Sequence, residues 1–218
     1  MELALSKEDF NRWVVFHTFV VTTYVLSLRG PEGVMLDLEG LHNFWEDQEQ
    51  PGLIITLLGK VKGERDERWH TLPCVSHTCS GVHVRESVER MLRLKSSQGF
   101  TKGPAISDVA GDVLETRLLD DMLLEVLEEI FIENRRAFPE HIKSVEDIQS
   151  AYHCFRSFRR ASDTRALEKK VGKDDINIVN RWSTTERTEG RRPNQDMRYY
   201  YADIGLLKGP FLRYTYSM

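Results

Sequence analysis

Ala151-Tyr152-His153-Cys154-Phe155-Arg156-Ser157-Phe158-Arg159-Arg160, then Asn180-Arg181-Trp182, then Tyr199-Tyr200-Tyr201: these three runs lie close together in the C-terminal part of the chain. Clustered arginines present rigid forks of donors that suit phosphate oxygens. Tyrosine is a nucleophile that enzymes turn on reactive centres. A phosphoryl-transfer site needs further groups, and the rest of the chain is where they would have to come from.

The chain has 218 residues, 40% of them hydrophobic. That suffices for one large domain or two small ones with a buried core, and it excludes wholesale disorder. The net charge of −4 argues against binding polyanions through bulk charge. The charge is uneven, however. Acidic residues dominate 112–147 and basic residues dominate 151–198, a pattern that can set a basic face on an acidic protein. The three cysteines, Cys74, Cys79 and Cys154, are odd in number and irregularly spaced, so they form no disulfide framework. Reduced thiols point to an intracellular protein. Cys74 and Cys79 with His77 and His83 lack the matching second pair of a metal site, and no metal is expected.

At the N-terminus, Glu2, Glu8 and Asp9 stand where a secretory signal carries positive charge. The apolar run 13–28 is interrupted by His17, Thr18, Thr22, Thr23 and Ser27. It is too short and too polar for a membrane span and reads as a buried helix. Gly30-Pro31 stops that helix, and a short helix or turn covers 32–42. Residues 43–51 read as a loop. The β-type run 53–58, a charged turn at 63–67 and a return over 68–73 make a hairpin. Helices are predicted over 84–95 and 107–136, the second with its acidic residues on a solvated face. Ser144-Val145-Glu146-Asp147 forms a capping box that opens a helix to 172, carrying the arginine cluster. A shorter helix runs from 174 to 182, and a last one begins near 194. The class is mainly α with a small antiparallel β-hairpin or sheet, in a single domain over 1–218.

In order and spacing, these residues resemble the catalytic domain of tyrosine recombinases, the phage-integrase superfamily. The closest likeness is to crypton-like and DIRS-like recombinases of eukaryotic mobile elements. The first motif of that family, an arginine at a helix end with an acidic residue three positions later, is matched by Arg29-Gly30-Pro31-Glu32. The hairpin lysine is matched by Lys62, with Lys60 as the alternative. The His-x-x-Arg motif is matched by Arg156-Ser157-Phe158-Arg159, with arginine in the place of histidine. Asn180-Arg181-Trp182 resembles the next element, with Trp182 at the histidine or tryptophan position. Among Tyr199, Tyr200 and Tyr201, the ending Tyr201-Ala202-Asp203 is similar to the family's nucleophile segment.

The resemblance implies a DNA breaking and rejoining enzyme. Tyr201 attacks the scissile phosphate, forms a 3′-phosphotyrosyl link and releases a 5′-hydroxyl. The bond energy is retained, so neither ATP nor a cofactor is implied. Arg29 and Arg159 would steady the charge of the pentavalent phosphorus, Lys62 would protonate the leaving oxygen, and Trp182 would donate its indole N–H. Glu32 would orient Arg29 through an ion pair. Arginine stays protonated, so Arg156 cannot serve as the base that histidine supplies. His153, three positions earlier and on the same side of the expected helix, is the substitute. Lys60, Arg160, Arg165 and Arg181 would contact the DNA backbone.

The partners implied are double-stranded DNA and further copies of the chain, a tetramer on two DNA sites, with 211–218 as the exchanged tail. No membrane is involved. The location is intracellular, nuclear in a eukaryote. The family's N-terminal DNA-clamping domain is expected to be absent, which would make binding weak and salt-dependent. A degenerate or domesticated DNA-binding module is the alternative, and a type IB topoisomerase activity a weaker one.

Overall fold

The computed structural model describes residues 7–45, 51–59, 68–153, 157–180 and 204–218. Among them the chain is mainly helical with one three-stranded antiparallel sheet, as the sequence predicts for the class. Helix α1 (Lys7–Val25) is the central element. Val14, Val15, Phe16, Phe19, Val21 and Val25 are all buried, which is too wide an apolar surface for one face. A helix apolar on most of its circumference has to be enclosed. Here α2 (Gly30–Val34), α3 (Val84–Ser97) and α6 (Ser157–Glu168) pack around it. The threonines that break the apolar run are buried too. Two of them satisfy their hydroxyls within the helix: Thr18 Oγ1 donates to the Val14 carbonyl at 3.0 Å and Thr22 Oγ1 to the Thr18 carbonyl at 2.7 Å.

The expected hairpin is present as β2 (Gly52–Gly59) and β3 (Arg68–Val75), with Leu53 opposite Cys74 and Ile55 opposite Leu72. Leu53, Ile55 and Leu57 are buried in alternation, the period of a strand with one face on the core. A further strand, β1 (Asn43–Trp45), lies where a loop is predicted. Its pairing depends on Gly52, since a Cβ there would collide with the Trp45 ring and the Cys74 carbonyl. The Cys74 thiol is buried and its pKa is driven well up by that burial, while Cys79 is exposed.

Helix α3 agrees closely with its predicted span. Helix α4 (Thr116–Glu133) starts later than predicted. The preceding segment turns through Gly99, Gly103 and Gly111, all at positive φ, a conformation open to glycine. Buried Lys95 ties this loop down: its Nζ donates to the Ser107 carbonyl at 2.6 Å, Ser107 Oγ at 2.7 Å and the Asp108 carbonyl at 3.0 Å. Asp121, Glu125, Glu129 and Glu133 line the outer face of α4, the solvated acidic stripe that its spacing predicts.

The capping box at Ser144 is formed and opens α5 (Val145–Ala151). The single helix predicted over 144–172 is instead two. α5 ends at Ala151, and α6 begins at Ser157 and ends at Glu168. A left-handed Lys170 closes α6, with Val171 N–H returning to the Ala166 carbonyl and Lys170 N–H to the Leu167 carbonyl, which is a Schellman closure. Then come α7 (Lys173–Val179) and α8 (Ile204–Tyr216). α8 packs against β3 and α7. Phe211, Leu212, Tyr214, Thr215, Ser217 and Met218 are all buried there, so the tail expected to pass to another subunit is packed into its own chain. Among the described residues no helix is long and apolar enough to cross a membrane.

Candidate functional site

Helix α1 ends in a second Schellman closure. Leu28 N–H bonds the Thr23 carbonyl at 2.9 Å and Ser27 N–H the Tyr24 carbonyl at 3.2 Å. Ser27 sits at φ 50, a position that glycine usually fills. Its hydroxyl accounts for the choice of serine: Ser27 Oγ donates to Asn180 Oδ1 at 2.7 Å. The turn delivers Arg29 to the start of α2, where Pro31 suits the first turn. Glu32 then reaches back in capping-box fashion. Its Oε2 accepts from Arg29 N–H at 2.8 Å and its Oε1 from Arg29 Nη1 at 3.1 Å.

Arg159 approaches the same carboxylate from α6. Its Nη1 lies 4.0 Å from Glu32 Oε2, at ion-pair distance, and its Nη2 donates to the Asn180 carbonyl at 2.7 Å. Arg29 and Arg159 are therefore brought to one place, on opposite oxygens of one buried side chain. The Glu32 side chain is 7% exposed and that of Arg29 32% exposed. The carboxylate faces inward and the Arg29 guanidinium reaches solvent. Two guanidinium groups converge on one carboxylate, and guanidinium forks suit phosphate oxygens.

The other sequence candidates divide as follows. Arg160 is exposed on α6. Arg165 is partly exposed and lies 3.6 Å from Glu168. His153 follows α5 and is not itself helical. Its N–H donates to Ser157 Oγ at 2.9 Å and the residue is exposed. Lys60, Lys62, Arg156, Arg181, Trp182, Tyr199, Tyr200 and Tyr201 lie outside the described residues. No group of three or more His, Cys, Asp or Glu side chains among the described residues could hold a metal ion.

Sequence reasoning missed the residues beneath the arginines: Ser27, Asp163, Asn180 and Tyr214. Two faint signals existed. Ser27 occupies the turn where a helix closes on a left-handed residue, and Asp163 lies one helical turn beyond Arg159. Comparison of the chain with family models, curated proteins and solved structures gives no match.

Proposed function

We propose that this chain breaks and rejoins DNA strands through a 3′-phosphotyrosyl intermediate, serving site-specific recombination or the integration and excision of a mobile element. The observation that supports this reading is the meeting of Arg29 and Arg159 over Glu32. The likeness to tyrosine recombinases pairs these two arginines at one phosphate. In the pentavalent transition state, negative charge spreads over the non-bridging oxygens. Each well-placed donor there is worth about 2.7–4 kcal/mol by analogy with oxyanion holes.

In this reading the Tyr201 phenol releases its proton to water as its oxygen bonds phosphorus, the bond from phosphorus to the 5′-oxygen breaks, and Lys62 (or Lys60) protonates that leaving oxygen. The free 5′-hydroxyl of another strand later attacks the phosphotyrosine and restores the phenol. Trp182 packs under the phosphate and Arg156 adds a cation. These roles rest on the sequence likeness. The test uses a nicked duplex that traps the covalent complex. The expected result is a protein–DNA adduct that Tyr201→Phe abolishes and Tyr199→Phe and Tyr200→Phe spare. Arg29→Ala or Arg159→Ala should slow adduct formation about 10²–10³-fold.

A second reading, a DNA-binding module without chemistry, is favoured by one observation. Arg156 stands in the histidine position, and α6 carries no histidine from Ser157 to Glu168. Salt-sensitive binding to DNA with no adduct from the wild-type chain would establish it.

A further inference from the structure

Asp163 is the hub of a polar cluster beneath the arginine pair. Its Oδ1 accepts from Tyr214 OH at 2.7 Å and from Asn180 Nδ2 at 2.7 Å, and Ser27 Oγ, whose one proton is shared between Asn180 and Asp163, lies 3.2 Å away. Tyr214 lies on α8, Asn180 follows α7, Ser27 closes α1, and Asp163 itself is on α6. One oxygen thus joins four elements. The cluster is closed further by Ser27 Oγ to Asn180 Oδ1 at 2.7 Å and by a 2.8 Å bond between Ser162 Oγ and Tyr214 OH. Ser27, Ser162, Asn180 and Tyr214 are all buried. Burial also raises the Tyr214 pKa far above that of an ordinary phenol, so Tyr214 keeps its proton and remains a donor.

Both arginines are attached to this cluster. Ser27 fixes the left-handed turn from which Arg29 departs. Asn180 presents its carbonyl to Arg159 Nη2 at 2.7 Å while its side chain is held by Asp163. Buried polar networks of this kind are rigid when fully satisfied, and an anion site depends on donors that are fixed before the anion arrives.

We infer that Asp163 is a positioning residue for the Arg29–Arg159 pair, acting through Ser27 on one arginine and through Asn180 on the other. The inference rests on the reading of that pair as a phosphate-binding site. Asp163 touches no phosphate in this scheme. Its effect differs in sign from that of its charge. Removing a carboxylate near two arginines strengthens their field, so charge alone predicts that Asp163→Ala binds DNA more tightly and reacts faster. Positioning predicts a slower reaction.

The test compares the wild-type chain, Asp163→Ala, Asp163→Asn and Tyr214→Phe by two measurements. Guanidinium NMR of the DNA-free protein reads the order of Arg29 and Arg159. Single-turnover adduct formation on a saturating nicked duplex separates the rate constant from the amplitude. Asp163→Ala should move and broaden both guanidinium signals and lower the rate constant about tenfold or more. It should add a smaller loss in an Arg159→Ala background than in wild type, because only Arg29 is then left to position and residues that act as a unit are non-additive. The amide oxygen that Asp163→Asn introduces has two lone pairs, enough for the bonds from Tyr214 OH and Asn180 Nδ2, and Ser27 keeps its bond to Asn180 Oδ1, so this variant should hold the rate within about threefold of wild type. A purely structural role lowers the amplitude with the folded fraction and leaves the rate constant alone. If Asp163→Ala does not fold, Tyr214→Phe carries the same comparison, because it removes a single donor and should give a smaller fall. Unmoved guanidinium signals in a folded variant, an unchanged or faster rate, or a loss that is undiminished without Arg159 would overturn the inference. A wild-type chain that forms no adduct overturns the DNA-cleaving reading instead, and the NMR comparison then decides the positioning role by itself.

Discussion

Arg29 and Arg159 share one acceptor, Glu32, whose Oε1 faces the first guanidinium and whose Oε2 faces the second. The charge of that carboxylate holds two like charges together. Glu32→Gln keeps the shape and removes the charge. The two guanidinium groups then repel with less to offset them, and stability should fall by about 1–3 kcal/mol. An added anion can substitute for the lost charge. In urea unfolding, sulfate should restore more stability to Glu32→Gln than it adds to wild type at equal ionic strength. Equal gains in the two proteins would show that the pair does not take up an anion.

Ser27 combines a strained backbone with a useful side chain. At φ 50 a non-glycine residue carries about 1 kcal/mol of steric cost. Ser27→Gly relieves that cost but loses the bonds to Asn180 and Asp163. Ser27→Ala keeps the cost and loses the bonds as well. Thermal unfolding should therefore rank wild type first, glycine second and alanine last, with alanine about 1–3 kcal/mol below wild type. Alanine more stable than glycine would contradict the left-handed closure of α1.

What could be read from the sequence follows the range of each signal. The buried helix α1, the β2–β3 hairpin, α3 and the Ser144 cap rest on local periodicity or local hydrogen bonds, and each lies close to its predicted position. Strand β1 was not legible, because three residues of mixed polarity become a strand only through pairing with 52–54. The late start of α4 and the break before α6 depend on Lys95 and on Ser157, whose partners lie in neighbouring loops. In the site, the Arg29–Glu32 pair is visible at three-residue spacing. The bond from Asn180 to Asp163 is not, because nothing in the chain order marks two side chains that meet across α6 and α7.

Gly40 tests the packing between the 3-10 turn Leu38–Leu41 and the sheet. A Cβ at this position would sit well inside contact distance of the Thr56 carbonyl oxygen on β2. Backbone cannot move aside as a flexible side chain can. Gly40→Ala should cost about 1–3 kcal/mol, the range for overpacking in a tight interior. Chemical denaturation would measure it, and a variant as stable as wild type would mean that turn and strand separate at little cost.

Lys95 gives a pH dependence with a definite sign. Burial pushes its pKa down to about 8 from an ordinary value of 10.5, against the pull of Asp108. Between those two values the unfolded chain holds the proton that the folded chain has released. Stability therefore rises with pH through this window, by at most about 1.4 kcal/mol per unit. Below pH 8 both states are protonated and the full cost of burying the ammonium is present. Lys95→Met removes the titrating group but leaves the Ser107 and Asp108 carbonyls short of a donor, which costs about 1–3 kcal/mol by itself. The stability difference between wild type and Lys95→Met should accordingly widen in favour of wild type as pH rises from 8 to 10. Urea unfolding of the two proteins at pH 8, 9 and 10 measures it. A difference that stays flat or narrows over that range would mean that the three oxygens around Nζ hold the ammonium charged in the folded protein and cancel the effect of burial.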